Sequence, residues 1–131
     1  MRAVFSCFLI FISLRAPPAA ADEFEFFEKK IRPIFVESCY KCHSVGAEKL
    51  KGGLLLDSKT GILKGGESGP AIVEGDVEKS LLIRAVRYTD KDLQMPPKDK
   101  KLSAQQIADF ETWVKAGAPD PRTNVVQSSK A

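Results

Sequence analysis

The sequence predicts a small all-α domain, and three observations support this fold class. Apolar residues recur at helical spacing over residues 24–38 and 77–87, and again in a final helix that begins after Ser103. Glycine-rich sequence at 49–75 separates the first two helices and is typical of loops. The chain has 131 residues, which is enough for one domain.

The first 21 residues are expected to be a secretory signal peptide. Arg2 supplies a positive start, an apolar stretch covers residues 3–14, and three alanines at 19–21 fit a cleavage site. The predicted mature chain begins at Asp22. An uncleaved anchor is the alternative, but about twelve apolar residues are too few to span a bilayer. We therefore expect an exported protein, periplasmic or extracytoplasmic, with no stable membrane span after cleavage.

The charge balance argues against nucleic acid as the main partner. Without Arg2 and Arg15, the mature chain has 18 basic and 17 acidic residues, so it is nearly neutral. Its lysines nevertheless form two local groups: Lys41, Lys49 and Lys51, and Lys98, Lys100 and Lys101. Each group is either an ordinary solvated face or part of a positive rim that orients an acidic redox partner protein.

The first predicted helix, residues 24–38, carries an apolar stripe. Its members are Phe24, Phe27, Ile31, Ile34 and Phe35. Pro33 interrupts this helix, and we expect a kink or a restart there because proline lacks the backbone N–H and clashes with the preceding turn. The stripe predicts a buried face.

The segment at 49–75 is predicted to be loop-like. Leu54, Leu55 and Leu56 form a short apolar run of undetermined structure. The glycines at 65–70 suggest turns; a phosphate-binding loop would need the Gly-Lys-Ser/Thr ending, which is missing.

Capping residues mark the two later helices. Asp76 is the expected N-cap of the helix at 77–87, and Ser103 with Gln106 forms a capping box for the last helix. The apolar face of the last helix comprises Ile107, Phe110 and Val114, with Trp113 beside it. Gly117 and Pro119 are expected to end it. The predicted domain is 22–119, followed by a disordered tail or linker at 120–131.

The pentapeptide Cys39-Tyr40-Lys41-Cys42-His43 is the most specific motif in the chain. C-x-x-C-H is the attachment sequence of c-type haem, in which two thiols bond the macrocycle and the adjacent histidine binds iron. His43 is the one histidine of the chain, and Cys7, the third cysteine, lies in the predicted signal peptide. Three alternatives stay open: a disulfide, a zinc site short of ligands, and a redox C-x-x-C without its βαβ context.

Met95 is the candidate second iron ligand. It is the one methionine of the predicted mature chain, and it lies in the loop at 88–101 before two prolines. A thioether is a soft ligand that favours ferrous iron, and prolines stiffen the backbone around it. The ordinary alternative is a methionine that fills a gap in the core.

These features together resemble a class I c-type cytochrome, and more closely the planctomycete-type cytochrome c domain of secreted proteins. The resemblance covers about residues 24–120 and is carried by IRPIFVESCYKCH (31–43), KGGLLLD (51–57), GGESGPAIVEGDVEKSLLIRAV (65–86), MPP (95–97) and LSAQQIADFETWVKAGAP (102–119). It implies N- and C-terminal helices packed together around one covalent haem c per chain. It also implies attachment at Cys39 and Cys42 and ligation by His43 and Met95.

The expected function is single-electron transfer by a mono-haem cytochrome, without catalytic residues and without enzymatic activity of the domain itself. The expected partners are redox proteins. The alternative is a peroxidase-like or ligand-sensing haem module of a larger exported protein, since related domains often precede much larger ones. A distal histidine that could assist peroxide cleavage is missing, which weighs against the peroxidase.

Overall fold

The computed structural model describes residues 20–122, which contain α-helices and turns and no β-strand. The helices are α1 (Ala20–Phe26), α2 (Arg32–Ser38), α3 (Lys59–Lys64), α4 (Leu81–Arg87) and α5 (Ala104–Lys115), and a π-helical segment (Phe27–Ile31) joins α1 to α2. The predicted all-α class is confirmed over this range. Of the predicted signal peptide, residues 1–19 lie outside the described residues.

Pro33 marks the restart that the sequence predicts. α2 begins at Arg32 with the proline in its first turn, where a backbone N–H is not needed. The Arg32 N–H donates to the Phe27 carbonyl five residues back, which is the π-helical pattern. A wider turn therefore comes directly before the proline.

Phe24 is the one member of the predicted stripe that the core does not bury. Its side chain is 39% exposed, whereas Phe27, Ile31, Ile34 and Phe35 are buried. A period of 3.6 residues per turn puts all members of the stripe on one face only if the α-helix is continuous. The π segment has a wider turn, so it changes the angular phase between α1 and α2, and the stripe does not extend back to Phe24.

Four aromatic side chains join the two ends of the chain. Phe35 of α2 lies 5.1 Å from Phe110 and 5.9 Å from Trp113 of α5, measured between ring centroids. Phe27 lies 5.8 Å from Trp113. All four rings are buried. The predicted packing of the first and last helices against each other is therefore confirmed.

Both ends of α5 follow the sequence signals. The Ser103 hydroxyl accepts from the Gln106 N–H at 3.2 Å, and the Gln106 side chain accepts from the Ser103 N–H at 3.0 Å, so the capping box is formed. After the helix, Gly117 adopts a φ of 93°. This left-handed conformation favours glycine and turns the chain away from the helix axis.

The predicted loop at 49–75 is wrong at residues 59–64, which form α3. Ser58 caps this helix, and its hydroxyl accepts from the Gly61 N–H at 3.0 Å. A helix of six residues is too short to show a periodic apolar pattern. Gly61 is needed there because a Cβ would lie 2.5 Å from the Leu55 carbonyl oxygen.

Asp76 does not cap α4, because that helix begins four residues later, after Ser80. The Asp76 carboxylate instead accepts from the Lys79 N–H at 3.0 Å and closes a turn. The buried Ser80 hydroxyl donates to the Asp76 carbonyl at 2.7 Å and accepts from the Val73 N–H at 3.0 Å. These contacts stabilise turns before Ser80, so α4 begins only at Leu81.

The predicted tail at 120–131 begins inside the fold. Asp120 and Arg122 are buried and bonded to each other, so the packed part of the chain extends past the predicted boundary at 119. The remainder of the predicted tail, 123–131, lies outside the described residues. None of the helices between residues 20 and 122 has the length and apolarity needed to span a bilayer.

Replacing Phe110 with alanine should lower the free energy of unfolding by about 3–5 kcal/mol, because the ring is fully buried against Phe35 and Trp113. Denaturant unfolding of the purified protein measures this loss. Thr112→Ala, at an exposed position of the same helix, is the matched control and should change the value by less than about 0.5 kcal/mol. A loss near zero for Phe110→Ala would contradict the packing described here.

Candidate functional site

The pentapeptide motif lies on a helical turn that continues from α2. Cys39 ends the helix and its N–H donates to the Phe35 carbonyl at 2.9 Å. The Cys39 carbonyl then accepts from the Cys42 N–H at 3.1 Å and from the His43 N–H at 3.0 Å. Residues three and four positions apart on such a turn share one side. The structure therefore brings Cys39, Cys42 and His43 together, as the motif requires.

Both motif cysteines are free thiols that are partly buried. Burial raises the pKa of Cys39 to about 12. No disulfide joins Cys39 and Cys42. Among residues 20–122, no three Cys, His, Asp or Glu side chains converge as a metal site made of protein ligands would require. The disulfide and zinc alternatives thus gain no support from the structure.

One ring nitrogen of the His43 imidazole has no hydrogen-bond partner within the described part of the protein. Its Nδ1 is buried and has no hydrogen-bond partner. A buried polar atom without a partner is costly, so such an atom asks for a reason. Because Nδ1 is buried, iron would bind through the other ring nitrogen, and the fit of this turn to haem rests on its two thiols and its imidazole.

Exposed apolar side chains flank the motif along the chain. Val36 precedes it, and Val45 and Leu50 follow it; their exposed fractions are 52%, 50% and 43%. Large exposed apolar side chains that occur singly are common on protein surfaces, so these three are not by themselves evidence of a surface that a ligand covers.

A strap made of residues 51–57 holds the motif from the other side. The Lys51 N–H donates to the Cys42 carbonyl at 3.0 Å, and the Leu56 N–H donates to the His43 carbonyl at 2.8 Å. The Asp57 carboxylate accepts from the Val45 N–H at 2.8 Å. This segment is part of the sequence resemblance, but the sequence does not predict that it supports the motif. Backbone hydrogen bonds of this kind leave no pattern in a sequence.

Met95 lies in a loop anchored to the end of α4. Its N–H donates to the Ala85 carbonyl at 3.1 Å, and the Tyr88 hydroxyl donates to the Pro96 carbonyl. The Met95 side chain is 38% exposed, so it is not the gap-filling core residue of the alternative interpretation. The ligand role of Met95 stays a prediction.

The lysines of both predicted groups have exposed positions; they are Lys41, Lys49, Lys51, Lys98, Lys100 and Lys101. Lys101 also lies over the Tyr88 ring, with its Nζ 5.9 Å from the ring centroid. That contact places one lysine of the second group next to the residue that anchors the Met95 loop.

One cation near the motif has no counterpart in the sequence predictions. Arg122 donates from its side chain to the hydroxyl of Tyr40, the residue that follows Cys39. It lies in the stretch predicted to be a disordered tail. The two residues are 82 positions apart, so no local signal could have paired them.

A family model described as Planctomycete cytochrome C matches residues 39–99. The matched segment starts at the first motif cysteine and includes Met95. The predicted resemblance to this family is confirmed. Neither the curated proteins nor the solved structures give a significant match to the chain.

In protein prepared without haem, Cys39 should react slowly with iodoacetamide, because the raised pKa leaves little of the reactive thiolate near pH 8. Peptide mapping by mass spectrometry gives the rate at Cys39 alone. We expect it to be more than about tenfold slower than in the same chain unfolded in urea. Equal rates in the two conditions would contradict the burial of this thiol.

Proposed function

We propose that the protein is an exported mono-haem c-type cytochrome that transfers single electrons, because a family model described as Planctomycete cytochrome C matches residues 39–99. The observation that carries the proposal is the placement of Cys39, Cys42 and His43 on one helical turn within the matched segment. This placement suits two thiols and an imidazole that hold one macrocycle.

Cys39 and Cys42 would hold haem covalently. Each thiol would form a thioether by addition to a vinyl group of haem, with the thiol hydrogen going to the other vinyl carbon, and this addition would need no oxidant. His43 would bind the iron through its imidazole. Haem, when bound, supplies the one-electron iron couple, and the protein supplies the ligands and excludes water.

Met95 is the proposed second ligand. Its loop is stiffened by two prolines and anchored to α4 through Ala85 and Tyr88, which supports a fixed position for the sulfur. A thioether stabilises ferrous iron relative to a second imidazole and so raises the reduction potential. An electron carrier would need Met95 as well as His43 to hold the iron, because an open coordination position would admit small ligands.

The exposed lysines support a charged partner. Six lysines in two groups, one beside the motif and one beside the Met95 loop, would give a positive rim that orients an acidic redox protein. Export is proposed from the signal sequence at residues 1–21. A redox partner would then be met outside the cytoplasm.

A second candidate function follows if Met95 does not bind iron. One coordination position of the iron would then be open to small molecules. In that case the domain would be a peroxidase-like or ligand-sensing module of a larger exported protein. The missing distal histidine weighs against the peroxidase, while a sensor needs no such group.

Met95→Ala distinguishes the two functions. If the sulfur binds iron, the oxidised wild-type protein shows the weak far-red band of a thioether–iron bond. The variant should lose that band, have a lower reduction potential and bind carbon monoxide, while its haem stays attached because Cys39 and Cys42 are unchanged. Absorption spectra and a redox titration measure these effects.

Leu93→Ala, in the same loop and partly buried, is the matched control and should keep the far-red band. Electron transfer as the function would be contradicted by a wild-type protein that binds carbon monoxide readily and by a Met95→Ala protein with unchanged spectrum and potential. The sensor would then be the better explanation.

A further inference from the structure

Asp120 and Arg122, at the end of the described residues, form a buried ion pair. The side chains of Asp120 and Arg122 are 1% and 6% exposed, and the Arg122 Nη2 lies 2.6 Å from the Asp120 carboxylate. The Arg122 Nε donates to both carboxylate oxygens, at 2.9 and 3.2 Å. Removing two charges from water costs several kcal/mol per ion, and this cost offsets the attraction between them. Burial of the pair is therefore not in itself a sign that the pair stabilises the fold.

The remaining hydrogen bonds of Arg122 go to residues around the motif. Its Nη1 donates to the Tyr40 hydroxyl at 2.6 Å and to the Leu56 carbonyl at 2.7 Å. Its guanidinium carbon lies 4.7 Å from the Phe27 ring centroid and 5.3 Å from that of Phe35. One buried cation therefore contacts the motif, the strap and the aromatic core at once.

Tyr40 and Leu56, which accept these two hydrogen bonds, are both connected to the turn that carries Cys39, Cys42 and His43; this turn is called the attachment turn. Tyr40 lies between the two motif cysteines, and its ring stacks on Phe35 at 6.4 Å with an interplanar angle of 8°. Leu56 accepts from Arg122 through its carbonyl, and its own N–H donates to the His43 carbonyl at 2.8 Å. Arg122 is thus linked to the motif cysteines through Tyr40 and to His43 through Leu56.

We propose that Arg122 is a positioning residue that fixes the orientation of the haem-attachment turn, and with it the imidazole of His43. The inference rests on the proposed function, because it concerns the turn that would carry haem. The Arg122 carbonyl accepts from the Lys59 N–H at 3.3 Å, so the main chain around Arg122 is fixed as well. Asp120 holds the guanidinium plane, and the guanidinium holds Tyr40 and Leu56.

Lysine cannot replace arginine in this position without loss. The guanidinium is a planar fork that donates in several fixed directions, whereas an ammonium group is a compact point charge. Here the fork serves the carboxylate of Asp120, the phenol of Tyr40 and the carbonyl of Leu56 at once. Arg122→Lys therefore keeps the charge and removes the geometry.

The test uses oxidised holoprotein of four forms: wild type, Arg122→Lys, Tyr40→Phe and Arg87→Lys. Arg87 is the matched control, because it anchors α5 by an ion pair with Glu111 at 2.7 Å and also pairs with Glu78, not with motif residues. The readout is the pattern of haem-methyl resonances in the paramagnetic proton NMR spectrum, which would follow the orientations of both proposed iron ligands; all four forms keep Met95 and its loop unchanged.

We expect Arg122→Lys and Tyr40→Phe to change the order or spacing of the haem-methyl resonances. Arg87→Lys should keep the wild-type pattern, even if its thermal stability falls. If Arg122→Lys gives no folded holoprotein, Tyr40→Phe decides alone, because it removes one hydrogen bond and keeps the ring.

Folded variants of Arg122 and Tyr40 with the wild-type methyl pattern would overturn the proposal, and so would a change as large in Arg87→Lys. A wild-type protein without haem would contradict the proposed function instead. The two failures are therefore distinguishable by whether the wild type carries haem at all.

Discussion

The position of Phe35 is the constraint on which the rest of the structure depends. Its ring is buried against Phe110 and Trp113 of α5, and its carbonyl accepts from the N–H groups of both Cys39 and Tyr40, each at 2.9 Å. One residue thus joins the aromatic core to the first turn of the motif. Because interiors are close-packed, a shift of this ring would move the attachment turn with it.

The two proposed iron ligands belong to parts of the chain that are held in different ways. His43 follows a helix fixed in the core, and the strap supports its main chain through Leu56. Met95 belongs to a loop that is bonded to the end of α4 through Ala85. Separate backbone hydrogen bonds therefore fix the main chain of each proposed ligand.

Local signals explain what the sequence could predict. The capping box at Ser103, the glycine after α5 and the spacing of the motif each lie within a few residues, and all three appear in the structure. The prediction that Asp76 caps α4 was wrong because a turn and a helix begin with the same kind of side-chain contact. The burial of Arg122 could not be predicted, because it depends on partners such as Leu56, 66 positions away, and a polar stretch otherwise predicts disorder.

Covalent attachment of haem at Cys39 and Cys42 underlies both proposals, and one measurement tests it directly. Mature protein made in a host that carries out c-type maturation is extracted with acidic acetone, digested, and mapped by mass spectrometry. We expect one haem to be retained on the peptide that contains Cys39 and Cys42, with neither thiol free to react. Two free thiols on that peptide, or a protein that carries zinc in place of haem, would contradict it.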